Sequence, residues 1–258
     1  MLFGLASGDL DQIRASRGWG YDYVEIHASL LRPLEPDGVW PSRKRELEDT
    51  GQVLSNLCNF IPGEARYVGP NVDWGRTRAY LETCIGRGAE VGVKVFNWGS
   101  PASKSVPPGW PYSKAFEQIE RAAHLIADIC KAHDAICVVE PINPRECNVI
   151  YYVTDGALVA ESIGRPEIRA LADFFHMSQQ NEPLEHIAAA GEWLAHCHTS
   201  GPDRCFPLPG QAWDQSAFLG ALRATGYDQR LTVESWNPRP GSTFAEDARA
   251  SVAYLRTL

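Results

Sequence analysis

Short apolar runs rich in β-branched side chains alternate eight times with stretches of helical periodicity across the 258 residues. No other feature restricts the fold as strongly, because each strand must bury its apolar side chains against the helix that follows. Strands are expected near 2–6 (LFGLA), 22–27 (DYVEIH), 53–60 (VLSNLCNF), 91–97 (VGVKVFN), 135–140 (AICVVE), 168–175 (IRALADFF), 194–198 (LAHCH) and 231–236 (LTVESW). Helices are expected near 8–18, 42–51, 73–88, 113–134, 154–164, 183–192, 214–225 and 243–257. Thr154 and Asp214 stand where helix N-caps belong, with Gly164 and Gly226 as stops. This pattern predicts an α/β chain forming one (β/α)8 TIM barrel over residues 1–258, in preference to an open sheet.

Two longer Pro- and Gly-rich segments, 98–112 and 199–213, follow predicted strands. They therefore fall on the carboxyl-terminal face, where barrel enzymes keep their chemistry. The net charge of −8 leaves no clustered basic surface for phosphate, so nucleic acid is excluded as a partner. Seven cysteines without a C-x-x-C pair suggest reduced thiols and a cytoplasmic setting. The first residues, MLFGLASGDLD, lack the basic and apolar regions of a signal peptide, and no run reaches the roughly 18 apolar residues of a membrane span. Exposed apolar helix faces would make such a barrel a homo-oligomer, a dimer or tetramer.

The stretch VVEPINPRECN places a carboxylate, Glu140, at the end of an apolar strand, where Pro141 stops regular pairing. An unpaired buried carboxylate costs several kcal/mol. The next strands each bring a polar side chain to the same end: Asp173 in LADFFH, His198 in LAHCH and Glu234 in TVESW. Strands five to eight of a barrel are neighbours, so these groups converge. Three carboxylates and one imidazole suit a hard or borderline divalent ion, with Mn²⁺ favoured and Mg²⁺ or Co²⁺ as alternatives.

Each residue also has a plainer reading. Glu140 could be salt-bridged, Asp173 could cap a turn, and His198 could be a satisfied core histidine. His196 shares the face of His198, so spacing does not choose between them. Glu25, Glu146, His176 and Arg204 gather at the same rim, Glu25 serving equally well as a loop anchor. Lys94 raises a Schiff-base aldolase, although an ion pair with a neighbouring strand's carboxylate accounts for it more simply. Trp98, Trp110 and Trp236 could form a sugar-stacking wall or ordinary packing. The cysteines read as small buried hydrophobes.

E-P-x-N at Glu140, D-x-x-H at Asp173–His176, H-T-x-x-x-x-R at His198–Arg204 and V-E-S-W at Glu234 together resemble the sugar isomerase/epimerase family with a xylose-isomerase-like barrel. Within it they are most similar to the ketose (tagatose and psicose/allulose) 3-epimerases. The resemblance implies metal ligation by Glu140, Asp173, His198 and Glu234, and substrate contacts from Glu146, His176 and Arg204. The loop after the seventh strand departs from the epimerase pattern at Pro202, Asp203 and Gln211. A Gly-x-Gly phosphate cradle is missing after strands seven and eight, so an unphosphorylated sugar or polyol ketone is the expected substrate.

The activity so implied is metal-dependent 3-epimerisation through an enediolate, with Glu140 and Glu234 as the catalytic carboxylates that remove and return the proton. The same residues would serve a lyase or dehydratase acting on a 3-keto-glycoside or keto-inositol. An abasic-site endonuclease shares the barrel, but it needs a His-rich trinuclear cluster and a basic groove, which seven histidines and a charge of −8 do not favour. A non-catalytic sugar-binding barrel is the remaining reading.

Overall fold

The computed structural model describes every residue from Met1 to Leu258. Eight parallel strands close in chain order: β1 (Leu2–Ser7), β2 (Tyr23–His27), β3 (Leu54–Cys58), β4 (Val95–Trp98), β5 (Ile136–Val139), β6 (Ile168–Asp173), β7 (Leu194–Thr199) and β8 (Arg230–Val233). Leu231 and Val233 of β8 lie opposite Phe3 and Leu5 of β1, so the sheet has no edge left to pair. The outer layer comprises α1 (Leu10–Trp19), α2 (Trp40–Glu48), α3 (Trp74–Glu90), α4 (Pro101–Lys104), α5 (Tyr112–Ala132), α6 (Val153–Ile163), α7 (Phe174–Gln179), α8 (Glu185–Ala190), α9 (Gln215–Ala224) and α10 (Phe244–Leu255). The (β/α)8 barrel expected from the alternation is the fold observed. No helix is long and apolar enough to cross a membrane.

Local chemistry sets the element ends. Asp9 accepts from the Asp11 and Gln12 amides at the start of α1, and Gly20 at φ 108° ends it. Asp214 caps α9 through the Ala217 amide, as its position suggested. Thr154 does not cap its helix. It lies inside α6, and Asp155 instead accepts from the Tyr151 and Tyr152 amides. Residues 91–93 do not begin β4, because the Val91 and Val93 amides close α3 on the Gly88 carbonyl. The helix expected at 183–192 stops at Ala190, where Gly191 adopts φ 55°. The sixth strand is two residues shorter than its apolar run, because Asp173 Oδ1 takes the Phe175 amide and turns the chain into α7.

Most of the core lies between strands and helices. One large apolar cluster includes Ile26, Leu57, Phe96 and Ile126, and a second, on the side that closes the barrel, includes Leu5, Phe218 and Leu231. The interior is different. Only Val95, Val138 and Leu171 form an apolar cluster there, while Glu25 on β2 meets His196 on β7, two strands that touch only across the lumen. A polar lumen beneath the carboxyl-terminal mouth is what positions the site.

Candidate active site

Glu140 stands one residue beyond β5, its amide still donating to the Trp98 carbonyl. Pro141 prevents further pairing. The buried Lys104 ammonium donates to the Glu140 carbonyl at 2.7 Å and pins the backbone where the strand stops. Burial pulls the Lys104 pKa below that of an ordinary lysine, with Cys147 and Glu140 opposing the shift. Asn97, on β4, donates its amide to Glu140 Oε2 at 2.9 Å. That contact leaves Oε1 to face the mouth.

Asp173, His198 and Glu234 come to the same place. One donor atom from each of these and from Glu140 lies within 4.8 Å of every other, and all four residues are buried. His198 Nδ1 lies 3.5 Å from Glu140 Oε1 and 3.6 Å from Glu234 Oε2, with no hydrogen-bond partner of its own. Such an orphaned buried nitrogen costs roughly 1–3 kcal/mol unless something occupies the space between these groups. The other ring nitrogen, Nε2, is 3.0 Å from Glu25 Oε1. The sequence left His196 and His198 equivalent, and the structure separates them. His196 lies deeper, its Nε2 2.8 Å from Glu25 Oε2, and only His198 reaches the mouth.

Glu25, His196 and His198 form a second group with metal-ligand geometry. Its hydrogen bonds are already made within the protein, since Thr232 donates to Glu25 Oε2 at 2.6 Å and Asn56 Nδ2 lies 3.2 Å from His196 Nε2. The outer group is the one that fits a divalent ion. It presents an imidazole nitrogen that has no partner, and three buried carboxylates that share a single guanidinium.

Electrostatics bind the two groups together. Burial alone would raise the Glu25 carboxyl, but the His198 and His196 imidazoles outweigh it and hold Glu25 far below the usual carboxylate range. Burial disfavours charge on His198, yet Glu25, Glu140 and Glu234 hold its pKa well above that of a free imidazole. For Glu234 the desolvation penalty is offset by Arg204 and then His198, so its carboxyl is also held low.

Arg204 supplies the cationic wall. Its Nη1 donates to Glu234 Oε2 at 2.6 Å and to Asp173 Oδ2 at 3.1 Å, and its Nη2 is 2.9 Å from His176 Nε2. The guanidinium carbon sits 3.8 Å from the centre of the Phe175 ring and 5.2 Å from that of Trp236. Asp203 and Arg204 both adopt positive φ, near 54° and 56°, which aims the side chain back over the barrel. Two such residues in succession store of order 1–3 kcal/mol each, held here by the surrounding contacts. Asn143 continues the chain of contacts, its Nδ2 lying 2.7 Å from His176 Nδ1 and donating to Glu146 Oε1 at 2.8 Å. Glu146 itself is exposed at the outer end of this chain.

The geometry can be set beside known proteins. A family model described as a xylose isomerase-like TIM barrel matches residues 13–258. The chain belongs to that family. Among solved structures, a 3-keto-D-glucoside 4-epimerase from E. coli aligns with 18% identity over 100% of both chains at a TM-score of 0.81. A D-allulose 3-epimerase from Methylomonas sp. aligns with 19% identity over 100% of this chain and 96% of that one, at 0.83. A structure described as an AP endonuclease, family 2, from Brucella melitensis aligns with 15% identity over 100% of this chain and 99% of that one, at 0.79. Identities this low establish the shared fold and nothing finer. No curated protein matches the sequence.

Lys94 has the plain role: it precedes β4 at the opposite end of the barrel and pairs with Asp134 at 3.1 Å. The three tryptophans do not make one wall. Trp98 is buried against Tyr67, Trp110 bonds Gln118, and only Trp236, half exposed, stands by Arg204. Six of the cysteines are buried, and none is in a disulfide. Asn97 and Lys104 escaped the sequence reading, since a neutral amide or lone lysine beside a strand end carries no spacing signal, and Asn143 was visible only as the last residue of E-P-x-N, with no role assigned. Glu25 was noticed as a rim residue, but it is a fully buried lumen carboxylate.

Proposed function

We propose that this protein is a divalent-metal-dependent sugar epimerase of the ketose 3-epimerase kind, acting on an unphosphorylated ketose or related polyol ketone. The convergence of Glu140, Asp173, His198 and Glu234 around one orphaned imidazole nitrogen carries this reading. Those four would hold the ion, with Mn²⁺ favoured over Mg²⁺ and Co²⁺ for a mostly carboxylate set. When bound, a divalent ion there would supply Lewis-acid polarisation of a ketone and its neighbouring hydroxyl, acidifying the C–H between them.

The protein's own groups would move the proton. Glu140 and Glu234 follow β5 and β8, strands that do not neighbour each other, so one would remove a proton from one face of a planar carbon centre and the other return it on the far face. Each has one oxygen held by a neighbour, Glu140 Oε2 by Asn97 and Glu234 Oε2 by Arg204. Arg204 and His176, already hydrogen-bonded to each other, would hold substrate oxygens and determine which carbon lies between the carboxylates. Glu146, linked to His176 through Asn143, would bind a hydroxyl further out. The acidic mouth favours a neutral substrate over a phosphorylated one.

A lyase acting on a keto-glycoside or keto-inositol would use the same proton abstraction and then lose a β-leaving group. The 3-keto-D-glucoside 4-epimerase among the structural neighbours gives that substrate class weight, although its own reaction is an epimerisation. Both readings are tested by stripping the protein with chelator, restoring Mn²⁺, and following ketoses and keto-glycosides by NMR in D₂O. Metal-dependent deuterium entry beside the ketone with the carbon skeleton intact supports the epimerase, and release of a leaving group supports the lyase. Absence of metal-dependent exchange across the panel would overturn both.

A further inference from the structure

The lumen holds an arrangement that the proposed reaction leaves unexplained. Glu25 is fully buried, 171 and 173 residues away in sequence from His196 and His198, and belongs to a strand that does not neighbour β7. A buried carboxylate in a barrel lumen is costly unless its oxygens are fully engaged. Here they are. Oε1 lies 3.0 Å from His198 Nε2, and Oε2 lies 2.8 Å from His196 Nε2 and accepts the Thr232 hydroxyl at 2.6 Å. Tyr23 OH is 2.8 Å from that same hydroxyl, and Asn56 closes on His196 from the other side.

The hydrogen-bond polarity of this network has a chemical result. An ionised carboxylate only accepts, so the His198 nitrogen facing Glu25 must carry the hydrogen. In the neutral ring the lone pair then resides on Nδ1, the nitrogen that has no partner and faces Glu140 and Glu234. Ring orientation is fixed as well, because His196 packs edge-on against His198 with centroids 5.0 Å apart. We infer that Glu25 is a positioning residue: from inside the barrel it locks His198 in the tautomer and orientation that present Nδ1 to a divalent cation. His196 and Thr232 in turn hold Glu25, so preorganisation of the mouth is set by a relay across the lumen. A carboxylate or carbonyl behind a ligating histidine raises the basicity of the ring and removes the cost of choosing its tautomer on binding. The inference rests on the cation site proposed above.

Isothermal titration of the chelator-stripped full chain with Mn²⁺ and with Co²⁺ tests it, comparing wild type, Glu25→Gln, Glu25→Asp and Thr232→Val. Glu25→Gln should weaken cation binding about 10–100-fold. Glu25→Asp, which keeps the charge, should recover part of that loss, and Thr232→Val should give a smaller loss of the same sign. Two-bond ¹H–¹⁵N spectra of the cation-free protein, recorded at alkaline pH where the ring is neutral, should show His198 protonated at Nε2 in the wild type and a mixture of tautomers in Glu25→Gln. A structural role alone would lower thermal stability without changing the tautomer or the Co²⁺ absorption spectrum. If Glu25→Gln folds, binds cations as tightly as wild type and keeps the Nε2–H tautomer, the positioning role is wrong. If Glu25→Gln fails to fold, the same two readouts on Thr232→Val decide the matter. If wild type binds no divalent cation while remaining folded, the cation site itself is wrong, a failure distinct from that of the relay.

Discussion

Gly99 and Glu140 are packed so closely that a side chain on the first excludes the second. A methyl group built on Gly99 would overlap Glu140 Oε2 and lie 3.0 Å from its carboxyl carbon. The glycine follows β4 directly, next to Asn97 and Trp98, so the backbone of one strand end forms the wall against which the carboxylate of the next is held. Gly99→Ala should therefore displace Glu140 by a fraction of its own length while leaving the barrel intact. Overpacking of this size typically costs about 1–3 kcal/mol of stability. The expected loss in kcat/KM is larger, about 10²-fold, because a shift near 1 Å in a reacting group has that effect. Steady-state kinetics beside a thermal melt checks it. Near-normal turnover in a folded variant would mean that the placement of Glu140 is unimportant.

Replacing Glu140 or Glu234 by Gln removes a proton acceptor and a carboxylate from the donor cluster with little change in shape. Either substitution should abolish turnover. Glu146→Gln, at the exposed end of the Asn143–His176 chain, should chiefly raise KM with kcat almost preserved. A kcat near wild type in Glu140→Gln or Glu234→Gln would end the two-carboxylate mechanism.

Arg204 should have opposite effects on cation and substrate. Its guanidinium shares Asp173 Oδ2 and Glu234 Oε2 with any cation held there. Arg204→Gln removes that competing positive charge, so divalent-cation affinity should rise while KM rises and kcat falls. Calorimetric titration of the stripped variant reads the first effect and kinetics the second. Weaker cation binding in Arg204→Gln would show that the guanidinium supports the donor set instead of competing with it.

One pH effect lies well away from the site. Asp247, in α10, has a buried side chain that accepts from Arg239 Nε and Nη2, the Arg239 amide and Ser242. Burial raises its carboxyl, but the Arg239 contacts and Ser242 outweigh that and leave it below its ordinary 3.8. A depressed folded-state value stabilises the fold above the unfolded value and ceases to do so as pH falls through the folded one. The Tm difference between wild type and Asp247→Asn should thus be full at neutral pH and shrink only below about 3.8. A difference that is constant from pH 7 down to 3 would contradict the assignment.

The strand-end residues were legible because they follow a local rule. A charged residue that closes an apolar run before a proline, as Glu140 does, is visible in sequence, and Asp173, His198 and Glu234 repeat the placement on the next three strands. Element boundaries were less legible. Residues 91–93 are apolar enough for a strand but are taken by the C-terminal hydrogen bonds of α3, and Asp173 shortens β6 by turning the chain. The plainer reading of Asp173 was also correct: one oxygen caps α7 while the other meets Arg204.

The amino-acid sequence alone determined the eightfold β/α alternation and the types of residue at the strand ends, because apolar periodicity, prolines and caps act over a few residues. It could not rank His196 against His198, which share a face and differ only in depth along β7. Nor could it assign Glu25, whose partners His196 and His198 are 171 and 173 residues away in the chain. Those contacts cross the lumen between strands that never pair, so they exist only once the sheet has closed.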